Sequence, residues 1–421
     1  MYRTSSLSRI RSRWERRQSD GGGEVLTGRP DIAPARHAEA TGRPRIALVV
    51  TSTLVVRWFL LEHIRTLARH FSVTLIVNND APGLAMLLPC RIVSLRLERD
   101  IAPLADLRAL AWLWRHFSAE RYQLVHTLTP KAGLLGMLAA WMSGVRVRLH
   151  TFQGEVWLTR RGALRLLLKN LDRLVARLAT DLLVVSSSER EFLIANQVIP
   201  AAKSLVLCNG SIAGVDCERF KPDAELRAGL RAGLGIATNA TVFLFVGRLK
   251  RDKGVLDLVR AFAILALEDA TCRLLVVGPD EENLLPEIEE ICAACRSRLH
   301  IVGLSAEPER YMAASDVLCL PSYREGFPVT LIEAAATGLP AIGSRVYGVT
   351  DAIVEGETGL LFDAGDMPQL ALGLRTLAGD TALRKRLGLS ARARALRDFS
   401  QARLTAALLE HYRRLLAGQG R

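Results

Sequence analysis

The sequence lacks several motifs that would assign a familiar chemistry at once. Neither half contains G-x-G-x-x-G, so a dinucleotide-dependent dehydrogenase is disfavoured. The sequence has no D-x-D, and therefore no carboxylate pair of that kind to hold a metal–nucleotide complex. No internal repeat of solenoid length is visible either. The function has to be inferred from other features.

Paired cysteines and long apolar runs are also missing. The seven cysteines are scattered, which indicates reduced thiols in a cytosolic protein. Cys292 and Cys295 form a C-x-x-C without a second pair at zinc-site spacing, so we interpret both as core cysteines. The longest uncharged apolar run, residues 132–145, is shorter than the roughly 20 residues that a bilayer requires. Residues 1–20 contain arginines but no apolar run, and we expect no signal peptide.

What the sequence does have is an uneven distribution of charge. The net charge is +13, and residues 1–210 hold 30 Lys+Arg against 16 Asp+Glu, whereas residues 211–421 hold 26 against 27. A basic half is typical of proteins that contact nucleic acid, an anionic membrane or a phosphorylated ligand. We interpret residues 1–44 as a disordered basic tail, either without function or tethered to a membrane surface.

Short apolar runs alternate with helical patterns, which predicts mainly parallel sheets with helices on both faces. In the first half these runs are RIALVVTS, VTLIVNN, RIVSL, QLVHTL, RVRLHTF and DLLVVSS. A segment rich in turn residues, 209–222, interrupts the alternation. It restarts with TVFLFVGRL, RLLVVGP, LHIVGL, VLCLPS and AIGSR.

We therefore predict an α/β protein with two Rossmann-like domains that face each other across a cleft. The predicted domains are residues 45–212 and 213–395, followed by a helix over 396–421 that can pack back on the first domain. Open sheets of this kind bind ligands beyond the carboxyl ends of their strands.

The segment EGFPVTLIEAAATGLP places two carboxylates around the start of a predicted helix. Pro328 suits the first helical turn, and Gly326 lets a ligand approach the backbone closely. Glu333, about one and a half turns along at ~3.6 residues per turn, suits vicinal hydroxyls such as those of a ribose, and Glu325 suits another polyol. The helix start offers an anion site made of unpaired N–H groups, those of Val329, Thr330 and Leu331.

Cations that would oppose such an anion lie in VGRLKRDKG, residues 246–254. Arg248 and Lys253 follow a predicted strand, on a loop of the kind that faces ligands. Arginine can bind a diphosphate through two N–H groups, and lysine adds a point charge. If a bond to the diphosphate breaks, these cations would stabilise the leaving group without a metal. Surface residues explain either motif alone, but the two together favour one anion site.

Three segments now carry a resemblance to a known family. VGRLKRDKG, YREGFPVTLIEAAATGLPAIGS and GVTDAIVEGETGLLF resemble the donor domain of family 4 retaining glycosyltransferases, which have the GT-B fold. The resemblance covers residues 45–415 and is strongest over 241–365. It implies that the C-terminal domain binds an NDP-sugar donor, for which we expect a UDP-sugar, and that no cofactor is needed.

The resemblance also implies roles for individual residues. Arg248 and Lys253 would bind the diphosphate, Glu333 the ribose and Glu325 the donor sugar, with the base near residues 301–304. The catalytic residues would be Arg248, Lys253 and Glu325, and no metal ligand is expected. The full donor-binding set is Gly247, Arg248, Lys253, Val302, Gly303, Glu325, Gly326, Phe327, Pro328, Val329 and Glu333.

The first half resembles a bacterial branch of this family that extends undecaprenyl-diphosphate-linked saccharides, through TPKAGLLGMLAAWMSGVRVRLHTFQGEVW. Many relatives have T-x-H-G in this loop, and here Gln153 takes the place of the histidine. Gln153, Gly154 and Glu155 are therefore candidates for the acceptor side. We interpret the nearby His150 as a strand residue without a catalytic role.

Basic residues recur every four positions in the first half, at Arg161, Arg165, Lys169, Arg173 and Arg177. An apolar face interleaves with them, formed by Leu164, Leu167, Leu168, Leu171, Leu174, Val175 and Leu178. The pattern predicts an amphipathic basic helix. It is either an ordinary domain helix or a ridge that contacts anionic lipid.

We predict a retaining, metal-independent glycosyltransferase (hexosyltransferase-type) that is peripheral on the cytoplasmic face of the inner membrane. It would move a sugar from a UDP-sugar to a polyprenyl-diphosphate-linked saccharide in O-antigen, capsule or exopolysaccharide biosynthesis. One alternative is a GT-B-shaped UDP-sugar epimerase or hydrolase, with Glu155 as its acid. Another is a non-catalytic membrane or nucleic-acid binder, although no nucleic-acid motif is present. The expected partners are nucleotide-sugar, lipid-linked saccharide and the anionic membrane surface.

Overall fold

The computed structural model describes residues 42–78, 83–97 and 102–418, and the first half of this part forms one parallel sheet. Its strands are β1 (Arg45–Val50), β2 (Ser72–Val77), β3 (Arg91–Ser94), β4 (Leu124–Thr127), β5 (Val147–Phe152), β6 (Asp181–Val184) and β7 (Ser204–Leu205). They lie in the order β3-β2-β1-β4-β5-β6-β7, and every neighbouring pair is parallel. The order reverses direction between β1 and β4, which opens a crevice at their carboxyl ends.

The second half forms another parallel sheet. Its strands are β8 (Val242–Val246), β9 (Arg273–Val277), β10 (Leu299–Gly303), β11 (Val317–Leu320), β12 (Ala341–Ser344) and β13 (Gly359–Phe362). Their order is β10-β9-β8-β11-β12-β13, again with parallel neighbours throughout. The predicted α/β architecture with two Rossmann-like sheets is confirmed, and the second crevice lies between β8 and β11.

Helices connect the strands of both sheets. In the first half they are α1 (Leu61–Ala68), α2 (Leu84–Leu87), α3 (Pro103–Glu120), α4 (Pro130–Met142), α5 (Gly162–Leu178) and α6 (Ser187–Ala195). In the second half they are α7 (Ala224–Gly233), α8 (Val255–Glu268), α9 (Leu285–Ile291), α10 (Pro308–Ala314), α11 (Val329–Ala336), α12 (Val349–Ala352), α13 (Met367–Gly379), α14 (Thr381–Asp398) and α15 (Gln401–Ala417). Proline at the first position of several helices fits a place where no N–H is needed.

The structure adds elements that the sequence pattern did not predict. β7 has only two residues, and the four residues of β13, GLLF, directly follow the turn-rich segment EGET, so neither stands out as a separate apolar run. A short helical turn, Thr53–Val55, and a π-helical turn, Val56–Leu60, precede α1. The side chain of Ser52 caps the first turn by accepting the N–H of Leu54 at 3.2 Å, so helical structure begins at Thr53.

Each sheet lies between two apolar layers. The strands of the second sheet alternate their side chains between one layer under α8 and α13 and another under α11 and α14. Cys292 and Cys295 are buried in the first of these layers, as expected for core cysteines. Residues 1–41 of the predicted basic tail lie outside the described residues.

The chain crosses from the second sheet back to the first between α14 and α15. The N–H of Val215 donates to the carbonyl of Phe399 at 2.8 Å, and the N–H of Gln401 donates to the carbonyl of Val215 at 2.9 Å. The two segments that connect the halves are therefore hydrogen-bonded to each other. Beyond this crossing, α15 packs on α1 and contributes Leu408 and Tyr412 to a core layer of the first sheet.

Two buried histidines stabilise the first sheet in their neutral form. Nδ1 of His150 lies 2.7 Å from Oγ1 of Thr127, and the ring nitrogens of His126 lie within hydrogen-bond distance of Tyr412 and Thr151. Burial lowers the pKa of His150 to about 3 and the pKa of His126 well below its usual value, with smaller contributions from neighbouring histidines at His126. At acid pH, unfolding is therefore favoured, because it lets both histidines take up a proton.

Acid should therefore destabilise the protein through these histidines. An unfolded histidine takes up a proton below a pKa of ~6.5, whereas the buried one does not, so the free energy of unfolding falls as the pH falls. Between about pH 7.5 and about pH 5.5 each neutral histidine should cost about 1.4 kcal/mol. Urea titrations should show that His150→Gln reduces this acid-induced loss by that amount. His70→Gln, at an exposed position, is the control and should leave the loss unchanged; an equal reduction there would contradict the assignment.

Candidate functional site

Loops at the carboxyl ends of strands from both sheets meet at Gly326. A Cβ added to Gly326 would lie 2.5 Å from the carbonyl carbon of Gln153 and 2.7 Å from the amide nitrogen of Gly154. Gln153 and Gly154 follow β5, whereas Gly326 lies between β11 and α11. No side chain fits so close to another backbone, so this contact requires glycine. The strand ends of the two sheets thus face one cleft.

Lys253 and Glu325 form an ion pair beside this contact. Nζ of Lys253 lies 2.7 Å from Oε1 of Glu325, and the side chains are only 15% and 12% exposed. Gly254 has a φ of +65°, and a Cβ there would lie 2.0 Å from the carbonyl oxygen of Pro321. Glycine at this position therefore brings the loop after β8 against the loop after β11. The structure thus joins two of the three residues that were predicted as catalytic.

Arg248, the third of these residues, points to a different carboxylate. Its Nη1 lies 3.2 Å from Oε2 of Glu281, on the loop between β9 and α9. The N–H of Gly247 donates to the carbonyl of Val277 at 2.9 Å, which holds the start of the Arg248 loop against the end of β9. Arg248 and Lys253 therefore contact different acids in this structure and share no partner.

Arg324, which the sequence did not single out, contacts the same loops. Its Nη2 lies 3.3 Å from Oδ2 of Asp252, and its Nη1 would lie 3.5 Å from a Cβ on Gly154. The Nε atom of Arg324 and the Oδ1 atom of Asp252 are buried without a hydrogen-bond partner. An unsatisfied donor and an unsatisfied acceptor therefore lie next to the contact between the two sheets.

The start of α11 differs from the prediction by one residue. Pro328 is the N-cap residue, with φ −76° and ψ 101°, and the helix begins at Val329, so the predicted place of Pro328 in the first turn is wrong. The N–H of Leu331 donates to the carbonyl of Pro328 at 3.0 Å, which corrects the prediction that this group is unpaired. The N–H groups of Val329 and Thr330 are the donors at the helix start.

Contacts from both sheets also fix the turn that precedes α11. The Ser186 hydroxyl donates to the carbonyl of Gly326 at 2.9 Å, and a Cβ added to Gly348 would lie 2.1 Å from the same oxygen. The ring of Phe327 is buried and packs on Phe399 with 5.4 Å between centroids. The side chain of Phe327 is therefore not available to a ligand.

Glu333 lies on α11, away from the Lys253–Glu325 pair, and is partly exposed. Burial raises the pKa of Glu333 to about 7; the charge of Arg219 opposes this shift and that of Glu309 adds to it. Val302 packs in the same apolar layer as α11, and Gly303 ends β10 with a φ of +80°. The predicted ribose and base residues thus border the same apolar layer of the second half.

The three acceptor-side candidates differ in how open they are. Gln153 is half-buried, and its Nε2 donates to the carbonyl of Leu128. Gly154 has a φ of +91° and donates its N–H to Glu189. Glu155 is only 2% exposed, and its Oε2 accepts a hydrogen bond from the Tyr347 hydroxyl. Its carboxyl is therefore enclosed in this structure rather than open to a large acceptor.

Residues at the start of α6 complete the contact between the sheets, and the sequence did not identify them. The N–H groups of Ser187 and Ser188 lie 3.0 and 3.2 Å from Oδ1 of Asp351, and the Ser188 hydroxyl lies 2.9 Å from the N–H of Gly348. The serine run SSSERE after β6 is the only feature of the sequence that points to this contact. Hydroxyl groups that follow the end of a strand suit contact with a ligand or with another domain. Within the described ranges, no three or more His, Cys, Asp or Glu residues are grouped to hold a metal ion.

Comparison with known proteins is consistent across most of the chain. Residues 56–210 match the description "Glycosyl transferase 4-like domain", and residues 227–394 match "Glycosyl transferases group 1". A capsular polysaccharide biosynthesis glycosyltransferase, CapM of Staphylococcus aureus, is 30% identical over 305 residues, which cover 72% of this chain and 80% of the relative. The UDP-Gal:alpha-D-GlcNAc-diphosphoundecaprenol alpha-1,3-galactosyltransferase of Escherichia coli is 29% identical over 292 residues, covering 68% and 74%.

Solved structures share the arrangement of the two sheets. HepE of Anabaena, crystallised with UDP and glucose, superposes with a TM-score of 0.74 over 88% of this chain and 99% of its own, at 20% identity. This likeness shows the fold, which is GT-B. The sequence matches on both halves show the family. The chain is thus an enzyme with the GT-B fold and belongs to the family 4 glycosyltransferases.

Proposed function

We propose that this glycosyltransferase moves a sugar from a UDP-sugar to a polyprenyl-diphosphate-linked saccharide, with retention at the anomeric carbon, in bacterial surface polysaccharide biosynthesis. The names of two relatives support the pathway class, since one is a capsular polysaccharide enzyme and the other acts on a diphosphoundecaprenol acceptor. HepE, which has the same fold, binds UDP and glucose. The family assignment favours transfer over the epimerase, hydrolase and non-catalytic alternatives.

One observation carries the proposal: the Lys253–Glu325 pair lies beside the start of α11, where the loops of both sheets meet. The N–H groups of Val329 and Thr330 and the ammonium of Lys253 are the donors for the diphosphate. Glu325 then lies at the end of the diphosphate that carries the sugar, next to the first-sheet loop at Gln153.

The nucleoside occupies the other end of α11. Glu333 accepts the two ribose hydroxyls, since an ionised carboxylate has two oxygens for this purpose. Val302 and Gly303 of β10 contact the base. The donor therefore lies along α11, with its base and ribose beside Glu333, its diphosphate at the helix start and its sugar beyond the helix start.

Transfer breaks the bond between the anomeric carbon and the diphosphate oxygen, and the electron pair stays on UDP. Negative charge grows on the diphosphate as the bond lengthens, so a fixed ammonium stabilises the transition state more than the ground state. Lys253 supplies that charge, and Arg248 joins it when its guanidinium exchanges Glu281 for the diphosphate. We propose that these cations make a metal ion unnecessary.

The acceptor approaches from the first sheet, over Gln153 and Gly154. The side-chain oxygen of Gln153 is not used in its bond to the Leu128 carbonyl, because the amide nitrogen makes that bond. It is available to orient the attacking hydroxyl of the saccharide, at the position where many relatives have a histidine. We propose that Gln153 positions the acceptor hydroxyl, whose oxygen bonds to the anomeric carbon while its proton passes to the departing diphosphate oxygen.

We also propose that the first half contacts the cytoplasmic face of the inner membrane. The helices α3, α4 and α5 pack side by side. Together they expose an apolar set, which we call the apolar ridge: Leu104, Leu107, Trp114, Trp141, Met142, Leu164, Leu166, Leu167 and Leu174. Exposed arginines lie on α3, on α5 and directly before α5, at Arg108, Arg160, Arg161, Arg165 and Arg177. A surface with both characters suits anionic lipid, which attracts the charges and accepts the leucines.

The predicted amphipathic helix is only partly used in this way. Val175 is buried and Leu178 packs against the core, so the C-terminal end of α5 packs on the first half as an ordinary domain helix does. Lys169 donates to Asn196, and Arg173 donates to the carbonyl of Gln197. None of the described helices combines the length and the apolar character needed to cross a bilayer.

Substitution of Lys253 tests the proposed chemistry. Lys253→Ala should lower kcat by about 100- to 1000-fold, since a preorganised charge at the leaving group is worth ~2.7–4 kcal/mol, while the UDP affinity changes less. UDP release is measured with a donor panel and a membrane lipid extract as acceptor. Arg251→Ala, which removes an exposed cation of the same loop that pairs with Glu287, is the control and should retain activity. Equal losses in kcat and UDP affinity would contradict the leaving-group role, and UDP release without acceptor would support a hydrolase.

Substitution of Glu333 tests the ribose site. Glu333→Ala should weaken UDP binding by about 10- to 150-fold, because a charge-assisted hydrogen bond is worth ~1.5–3 kcal/mol. The carboxyl is protonated below its pKa of about 7, so calorimetric UDP affinity should fall as the pH falls through that value. Glu333→Gln should remove this dependence, and Glu309→Gln should move it to lower pH. Unchanged affinity in Glu333→Ala would refute the ribose role.

Charge reversal on α5 tests the membrane contact. Arg161→Glu with Arg165→Glu should reduce binding to anionic vesicles by at least about tenfold, since each basic residue near the surface contributes ~1 kcal/mol. UDP affinity should stay intact. The matched control reverses Lys385 and Arg386, which are exposed on α14 in the second half, and should leave vesicle binding unchanged. If both double variants sediment with vesicles like the wild type, the apolar ridge is not a membrane surface.

A further inference from the structure

Two carboxyl groups lie buried together under the contact between the sheets. Glu155 belongs to the loop after β5, and Glu189 belongs to the first turn of α6. Glu155 is 2% exposed and Glu189 is fully buried. Acidic side chains are almost never enclosed to this extent unless something neutralises or pairs them.

The hydrogen bonds around the pair leave two oxygen atoms unused. The N–H of Gly154 donates to Oε1 of Glu189, and the Tyr347 hydroxyl donates to Oε2 of Glu155. The remaining atoms, Oε1 of Glu155 and Oε2 of Glu189, are buried without a donor, although the two carboxyl groups are within hydrogen-bonding reach of each other. One proton between those two oxygens would satisfy both atoms at once.

The charged groups nearby do not offer another solution. Arg324 is the cation that acts on Glu155, and Asp252 already pairs with it. Asp172 adds a further negative charge near Glu155 and accepts the indole N–H of Trp157 at 2.9 Å. Asp351, close to α6, is held by the N–H groups of the serine run. Two ionised carboxylates side by side would therefore remain uncompensated.

We infer that Glu155 and Glu189 share a single proton, and that this acid–carboxylate pair is a positioning device that holds both segments flanking Gly326. Glu189 holds the N–H of Gly154, whose backbone contacts Gly326 on one side. Glu155 holds Tyr347, and the next residue, Gly348, contacts the carbonyl of Gly326 on the other. The proton fixes the cleft at the end where the donor sugar is placed; its effect on transfer rests on the proposed function.

The direction of the pH dependence follows from the burial. Burial, then the charge of Glu155, raises the pKa of Glu189 well above its usual value, and burial raises the pKa of Glu155 as well. A carboxyl with a raised pKa stays protonated to higher pH in the packed state than when the loops separate. The packed arrangement therefore loses stability as the pH rises, and transfer falls in alkaline solution when the shared proton leaves.

Substitutions at position 189 test both parts of the inference in the full-length enzyme. Glu189→Ala removes the acceptor of the Gly154 N–H and should lower kcat by about 10- to 100-fold, with UDP affinity within about threefold of wild type, since misplaced loops cost rate more than nucleotide binding. Glu189→Gln should rescue most of that loss, because its amide oxygen accepts the Gly154 N–H and its NH₂ group donates to Glu155. Its rate should no longer fall in alkaline solution.

Infrared spectroscopy provides a readout that does not depend on activity. A protonated carboxyl has a carbonyl stretch distinct from that of a carboxylate, and one such signal should be lost between wild type and Glu189→Gln. Asp172→Asn is the matched control: burial and the charge of Glu155 raise the pKa of Asp172 to about 7, but its side chain does not contact the Gly326 turn. That variant should keep the alkaline fall in rate.

The outcomes separate the inference from the proposed function. An unchanged infrared spectrum in Glu189→Gln, or an alkaline fall that persists there and disappears in Asp172→Asn, overturns the shared proton. A wild-type kcat in Glu189→Ala overturns the positioning role. If the wild type transfers no sugar at all, the proposed function fails, while the infrared comparison still decides whether the proton is shared.

Discussion

The contact between the backbone at Gly326 and the backbone of Gln153 and Gly154 is the constraint on which the rest of the site depends. It leaves no room for a single carbon atom, so the two sheets can approach only where glycine occupies this position. Because the strands of both sheets point their carboxyl ends at this place, every loop that ends there is brought within reach of the others. The Lys253–Glu325 pair, the start of α11 and the buried acids are all neighbours as a consequence.

Each cation that the structure describes at or near the candidate site is paired with a carboxylate. Lys253 faces Glu325, Arg324 faces Asp252 and Arg248 faces Glu281. A diphosphate that enters must compete with these carboxylates for the cations. It binds only if it displaces a carboxylate from its cation or shares the cation with it. That arrangement suits a ligand with a sugar beyond the diphosphate, since a carboxylate released by a cation can accept hydroxyls.

The sequence predicted what depends on local pattern and missed what depends on tertiary contact. Apolar runs located eleven of the thirteen strands that the described residues form, and β7 and β13 were missed. The two acids around α11 and the cations after β8 could be proposed as site residues because they lie at strand ends, a rule that holds without knowledge of packing. The enclosure of Glu155, the partner of Arg248 and the roles of Arg324 and Glu189 depend on side chains that are distant in sequence. Composition and spacing carry no record of such contacts.

The paired crossing of the chain between the halves has a mechanical consequence. A single flexible connection would let one half swivel about any axis. Here the outgoing and returning segments are bonded at Val215, Phe399 and Gln401, and Gly214 packs against the backbone of Gln401. Two connections that are bonded side by side resist twisting of one half against the other, so bending about the crossing is the easier motion. Any opening of the cleft is therefore expected to be a bend about this crossing, which would separate Gly326 from Gln153 and Gly154 and bring them back to the same contact.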